Sequence, residues 1–359
     1  MEEIGMKGQR KACDVLTRGA RVLVVLLLIF GLSGLPAMAA PKITLSLSTW
    51  ETEKSSGVPS YKQMAKDLEE GTAGAVMVKM HYAEALGKAK EHYEVALKGL
   101  ADIACLNVSF TPGRFPMTDM VSFAQGPSGE AFTKGLIEVM KKGYLQKEYQ
   151  NVKLLYVWSG SPCNILWRKG VKPATTIEEM KGKKIRVPSV GAANLMKSLG
   201  AVPVAIPMPE VYTAMERGVV DGAISTLDVL EVFALHSVCN EVTKIGVLTF
   251  GFCLIMNKDS WNKLPENVKA IFDKNAEKWA MVAGRSFDQA DKRAVEKHKT
   301  KIYNMKPGDL QKIKDVMAGP VKEYIEKYEA QGYPAKEATK AYNEALKKYY
   351  NTEPFALSK

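Results

Sequence analysis

The residues from which reactive centres are usually assembled are scarce in this chain. There are five cysteines and four histidines in 359 residues. His81, His92, His236 and His298 form no H-x-x-x-H and no Cys/His cluster, so a zinc site has no support and no metal is expected. No C-x-x-C occurs and the cysteine spacing is irregular, which argues against a redox motif or a disulfide framework. The sequence has no G-x-S-x-G elbow, no Walker loop and no G-x-G-x-x-G behind a strand. Ser159-Gly160-Ser161 has the look of a nucleophile turn, but no base is marked for it and a loop is the simpler reading. Carboxylates are plentiful without any pair standing out as acid and base. These absences predict a protein without a cofactor and without catalytic activity.

Long hydrophobic runs are also few. The one that stands out, Val22–Leu35, is 14 residues long, short of the ~20 needed to span a bilayer. Lys7, Arg10, Lys11, Arg18 and Arg21 precede it, and the small-residue site Ala37-Met38-Ala39 follows. A charged leader, a short apolar core and an A-x-A site predict a secretory signal peptide over residues 1–39 and a periplasmic protein. No cysteine stands directly after the expected cleavage site, which argues against a lipid anchor. Removing five Lys/Arg and three Asp/Glu takes the net charge from +11 to +9. The basic residues of the remainder are interleaved with acidic ones, as over 266–301, and carry no aromatic interleaving. That pattern predicts solvated helix faces and no nucleic-acid partner. Of the four remaining cysteines, Cys105 and Cys253 sit in apolar runs and read as buried free thiols.

What is present is an alternation of strand and helix. Ile43–Thr49, Val76–Tyr82 and Asp102–Leu106 read as strands, separated by helices over Val58–Glu70 and Lys88–Leu97. Such a series predicts a parallel sheet covered by helices. It recurs with strands at Val152–Trp158, Asn164–Trp167, Lys184–Val187 and Val219–Ile224, and helices at Thr176–Lys181, Gly191–Leu199, Pro209–Arg217 and Leu227–Leu235. Phe250–Met256 is an apolar strand. From Pro265 onward the sequence is rich in Lys, Glu and Ala at helical spacing. This predicts a long helix over 266–301, then amphipathic helices over Lys322–Tyr328 and Lys336–Tyr350. Two βα-rich halves predict two α/β lobes, and with no linker between them the lobes are expected to be joined by crossing strands.

One constellation points to a ligand. Lys181-Gly182-Lys183-Lys184-Ile185-Arg186-Val187-Pro188 puts Arg186 near the carboxyl end of a short strand, where open α/β sheets bind ligands. An arginine there suits a carboxylate, because its planar fork makes two parallel charge-assisted hydrogen bonds. An ordinary surface ion pair is the competing reading.

The same stretch resembles the solute-binding proteins of the tripartite ATP-independent periplasmic (TRAP) transporters, the DctP type. The resemblance is carried by Gly182–Pro188, Gly200-Ala201-Val202-Pro203, Pro209-Glu210-Val211-Tyr212-Thr213-Ala214-Met215 and Gly218-Val219-Val220-Asp221-Gly222. Leu86-Gly87, Gly99–Ala104, Asn257 and Leu264-Pro265 extend it over nearly the whole sequence beyond the leader. It implies a two-lobed α/β binding-protein fold with mixed sheets, a central ligand cleft and a long bridging helix. Lobe one would comprise 41–160 with 252–290, and lobe two 161–251 with 291–359. It further implies a monomer that closes on a small organic carboxylate and delivers it to TRAP membrane permease subunits. The family's carboxylate-binding arginine falls on Arg186 and a polar neighbour on Ser189. Other pocket positions fall on Asn107, Met208 and Trp50. Where members carry Q-E-N-P this protein has Ala223-Ile224-Ser225-Thr226, which puts Ser225 at the Asn position. A second family arginine has no counterpart, Cys163 or Asn164 standing there. Both departures imply a pocket less polar than those for sugar acids or dicarboxylates, and so a monocarboxylate with a less polar tail. A ligand-sensing subunit of a membrane sensor kinase would share these features, and an extracytoplasmic enzyme acting on an organic acid is the more distant alternative.

Overall fold

A computed structural model describes residues 43–351; the expected leader lies outside them. Eleven strands form two mixed sheets among the described residues. In sequence order they are β1 (Ile43–Ser48), β2 (Val76–His81), β3 (Ile103–Asn107), β4 (Lys153–Ser159), β5 (Asn164–Arg168), β6 (Lys184–Val187), β7 (Val202–Ala205), β8 (Gly222–Ser225), β9 (Cys239–Lys244), β10 (Gly251–Met256) and β11 (Lys301–Asn304). The first sheet runs β2-β1-β3-β10-β4 and the second β11-β9-β5-β8-β6-β7. Each contains one strand laid antiparallel to both its neighbours, β10 between β3 and β4, and β5 between β8 and β9. Those two strands lie next to the places where the backbone passes between sheets. It crosses from β4 to β5, returns from β9 to β10, and leaves again through the long helix that leads to β11. Two lobes joined by crossing segments are the result.

The crossings are held by backbone bonds, with Cys163 N–H donating to Leu248 O at 3.0 Å and Leu248 N–H to Ala124 O at 3.0 Å. Leu248 adopts a left-handed backbone, φ 65°, while fully buried. Left-handed backbone at a non-glycine residue costs on the order of 1–3 kcal/mol. Here the packing of the crossing holds it in place.

The long helix spans Glu266–His298, 33 residues, or about 50 Å at 1.5 Å per residue. It ends three residues before the expected limit, at Lys299 in a left-handed conformation. Its buried face, Val268, Phe272, Ala276, Trp279, Ala283, Phe287, Ala290 and Ala294, recurs every three or four residues, as an amphipathic helix requires. Two acids one turn apart fasten it to both lobes. Asp288 Oδ1 accepts from Gly129 N at 2.7 Å and Ser161 Oγ at 2.9 Å, and its Oδ2 from Glu130 N at 3.0 Å, at the start of the helix Gly129–Lys141. Asp291 Oδ1 accepts from Leu227 N at 2.9 Å and Asp228 N at 2.7 Å, at the start of the short helix Val229–Val232. Each carboxylate faces N–H groups that have no partner within their own helix.

The helical tail departs from the expected division. Pro307–Val316 does stay with the second lobe, where Asp309 Oδ2 accepts from Ile177 N at 3.2 Å. Ala335–Tyr350 instead packs along Gly129–Lys141 in the first lobe. Gly135 makes this possible, since a Cβ there would lie 2.6 Å from the Tyr342 ring. Between them, on Ala318–Glu329, the Tyr324 hydroxyl donates to Pro116 O at 2.9 Å. A small residue facing a ring from so distant a part of the sequence leaves no local mark. The helices Gly129–Lys141, Lys258–Lys263 and Pro307–Val316 and strands β7, β9 and β11 were not among the expected elements, and the helix expected over Leu227–Leu235 is confined to Val229–Val232.

Replacing Asp288 tests the fastening. Asp288→Ala removes a carboxylate that serves as a helix cap, so it is expected to lower stability by about 1–2 kcal/mol. Thermal denaturation followed by circular dichroism checks this; an unchanged midpoint contradicts it.

Candidate functional site

A cavity lies between the lobes, at the carboxyl ends of β1, β3, β6 and β8. Its walls include Trp50, Glu51, Asn107, Phe250, Phe252 and Phe287 from the first lobe and bridging helix, and Arg186, Pro188, Met208, Ser225, Thr226, Asp228 and Phe233 from the second. The strands stop there for local reasons. Pro188 cannot extend β6, and Asn107 bends the backbone out of β3 by accepting from Ser109 N at 3.1 Å.

Arg186 is 1% exposed. Its Nε donates to Ile206 O at 2.7 Å and its Nη1 to Ile224 O at 3.0 Å. These bonds use backbone carbonyls at the ends of neighbouring segments and fix the plane of the guanidinium. No carboxylate among the described residues lies within ion-pair distance of it, and no protein acceptor among them takes a bond from Nη2. Burial pulls its pKa down to about 10, so the group stays charged at neutral pH. The site therefore holds a fixed, buried cation without a counter-ion.

The surroundings are mainly aromatic. Trp50 stacks on Phe233 across the lobes, ring centres 6.3 Å apart and planes 11° from parallel, and meets Phe110 edge-on at 5.3 Å. The Trp50 Nε1 is buried without a partner among the described residues. Phe252 stacks on Phe287 at 5.4 Å, which brings the bridging helix to the wall. Two carboxyl groups share this apolar setting. Burial raises the pKa of Glu51, against the hydroxyl of Tyr61, which donates to its Oε2 at 2.5 Å. Burial likewise raises that of Asp228, which accepts from Ser56 Oγ and Thr226 Oγ1, each at 2.5 Å. Ser56 belongs to the first lobe and Asp228 to the second, so this hydrogen bond ties the lobes together beside the cavity.

Of the seven residues expected at the site, Arg186, Asn107, Ser225, Met208 and Trp50 meet around this cavity. Two do not. Ser189 caps the helix Val190–Ser198, accepting from Ala192 N at 3.2 Å, and faces a separate surface pocket with Phe110 and Ile206. Asn164 braces a crossing, its Oδ1 accepting from Ile245 N at 3.1 Å and Gly246 N at 3.2 Å while its Nδ2 donates to Pro162 O. Both groups spend their hydrogen bonds on local backbone. Sequence reasoning missed Glu51, Ser55, Asp228 and the phenylalanines. Glu51 and Asp228 lie just beyond strand ends, a position that could have marked them. Phe287 sits in a uniform helical pattern and carried no such signal.

All four described cysteines are free and buried. Among the described residues no group of three or more His, Cys, Asp or Glu could hold a metal ion, and no helix is long and apolar enough to cross a membrane.

Two mixed α/β lobes, three crossings and an interlobe cavity closed by side chains from both halves define a two-lobed binding protein. The family model of the bacterial extracellular solute-binding proteins, family 7 (DctP), matches residues 47–327, and the protein belongs to that family. Among curated relatives it is 26% identical to the C4-dicarboxylate-binding periplasmic protein DctP of Rhodobacter capsulatus, over 79% of this sequence and 83% of that protein. Among solved structures, a TRAP periplasmic solute-binding protein of Desulfovibrio salexigens superposes with a TM-score of 0.76 at 28% identity, covering 87% of this protein and 98% of that one. In that crystal the C-terminus of a symmetry mate occupies the ligand-binding site. A TRAP solute-binding protein of Rhodoferax ferrireducens, complexed with copurified benzoate, superposes with a TM-score of 0.78 at 24% identity, covering 86% and 99%.

The thiols provide a check on the packing of the two lobes. Desolvation raises the pKa of Cys105 and Cys163 well above the ordinary value and that of Cys239 to about 12, and raises Cys253 too. Since the thiolate is the reactive form, all four should resist Ellman's reagent at pH 8 and react only after denaturation. Rapid labelling of the native protein contradicts this.

Proposed function

We propose that this protein is the extracytoplasmic solute-binding subunit of a TRAP transporter, which captures a small organic monocarboxylate between its lobes and hands it to membrane permease subunits. It acts as a monomer and not as an enzyme, after export to the periplasm by a signal peptide over residues 1–39. The observation that carries this reading is the buried guanidinium of Arg186 without an ionic partner. A buried charge left uncompensated is costly, and a bound carboxylate supplies the missing charge. The relatives support a ligand of that kind: one is named for dicarboxylates, and the site of another accepts the C-terminus of a neighbouring polypeptide, a group that ends in a carboxylate.

Asn107 and Ser225 would add hydrogen bonds, and Trp50, Met208 and Phe233 would enclose the apolar remainder. Ser189 and Asn164 would act indirectly, through the helix and the crossing they hold. With the lobes together the cavity encloses about 30 Å³, room for about two water molecules. Entry of an organic acid therefore requires the lobes to part and the rings to shift, and contacts from both lobes then favour closure.

Arg186→Ala should weaken binding of the acid by roughly a hundred- to several-thousandfold, the equivalent of about 3–5 kcal/mol for a broken buried pair. Arg186→Lys keeps the charge without the fork and should restore only part. Calorimetry with a hit from an organic-acid panel measures both, with circular dichroism to confirm folding. Affinity within about threefold of wild type in folded Arg186→Ala overturns the assignment, and conversion of the acid over many turnovers overturns the non-enzymatic reading.

Ser56→Ala removes the hydrogen bond between the lobes without altering Arg186. A hydrogen bond contributes about 0.5–1.5 kcal/mol net, so affinity should fall roughly two- to tenfold, mainly through faster dissociation measured by stopped flow. Unchanged dissociation contradicts the role of this contact in closure.

A further inference from the structure

The binding reading accounts for one end of the ligand. The cavity wall also holds an acceptor oxygen, on Glu51, that no donor among the described residues reaches. Glu51 is 2% exposed and follows Trp50 just beyond β1. All its side-chain hydrogen bonds from the described residues converge on Oε2, from the Tyr61 hydroxyl at 2.5 Å, the Thr49 hydroxyl at 3.3 Å and the Cys105 thiol at 3.5 Å. No donor among the described residues reaches Oε1, although the side chain forms part of the cavity wall. The other carboxyl group on the wall differs, since Asp228 receives a hydroxyl on each of its oxygens. Oε1 is open to the cavity, and a ligand that displaces water from it must supply a donor in its place or lose affinity.

We propose that Glu51 is a second recognition group of this site, and that the acid it admits carries a hydroxyl or N–H donor away from its carboxylate. The inference rests on the binding reading above and narrows the ligand class. Arg186 engages the carboxylate, the aromatic walls cover a ring or other apolar body, and Glu51 Oε1 accepts the remote donor. A plain apolar acid would leave Oε1 unsatisfied and enclosed, so it would bind more weakly than its hydroxylated or N–H counterpart. Sites built to hydrogen-bond a polar group discriminate strongly against analogues that lack it.

Matched pairs test this on the intact protein. One pair is 3-hydroxybenzoate against 3-fluorobenzoate, for a hydroxyl donor. The other is pyrrole-2-carboxylate against furan-2-carboxylate, for an N–H donor. By calorimetry, at least one pair should show a preference for the donor of about tenfold or more, as expected for a hydrogen bond to a charged or buried acceptor, and which pair does so identifies the donor. In Glu51→Gln, which keeps the shape and an oxygen for Tyr61, and in Glu51→Ala, that ratio should collapse toward one. The donor-free acid should change little, a pattern that general loss of structure does not produce. Binding of the donor-free acids that depends on Arg186, with no preference in either pair, overturns the role of Glu51 and leaves the binding reading intact. A preference that survives in both Glu51 variants also overturns it. If no carboxylate binds at all, both inferences fail.

Discussion

The arrangement of this protein depends on a buried cation that forms no ion pair among the described residues and faces the interlobe cavity. Arg186 is oriented by two backbone carbonyls, which align the guanidinium but do not neutralise it. Desolvation lowers its pKa to about 10, too little to discharge it. In an apolar wall of Trp50, Phe233, Phe250, Phe252 and Phe287 such a charge attracts an anion strongly because little solvent screens it. The strand ends, the aromatic lining and the interlobe hydrogen bond all serve to surround that one group from two sides.

Surrounding a ligand from two sides requires lobes that can separate and return to the same register. The bridging helix supplies continuity between them. Asp288 and Asp291, three positions apart, point carboxylates at helix starts in different lobes, so one rigid element fixes both. Gly246 and Leu248 both have left-handed backbone, and Asn164 ties the same segment to β5. The Trp50–Phe233 stack and the Ser56–Asp228 bond form where the lobes meet over the cavity.

Features with a local cause were legible in the sequence. The strand–helix alternation, the long amphipathic helix and the position of Arg186 before Pro188 each follow from the spacing of near neighbours. Trp50 and Asn107 were named only through the family resemblance, and both lie on the cavity wall. Features that depend on distant partners were not. The return of Ala335–Tyr350 to the first lobe depends on Gly135 fitting Tyr342. Ser189 and Asn164 have the right chemistry at the right place in the sequence, but nearby N–H groups claim them first. Asp228 could be read as polar from its type, yet its pairing with Ser56 across 172 positions is visible only in three dimensions.

The most direct measurement is a crystal structure of the protein with the acid that stabilises it most. The account predicts the lobes closed over the ligand, with both carboxylate oxygens within hydrogen-bonding distance of the Arg186 guanidinium, about 2.7–2.9 Å for a charge-assisted pair. A complex in which the carboxylate points to solvent or is held by other groups, while Arg186 keeps only its bonds to Ile206 and Ile224, would contradict it.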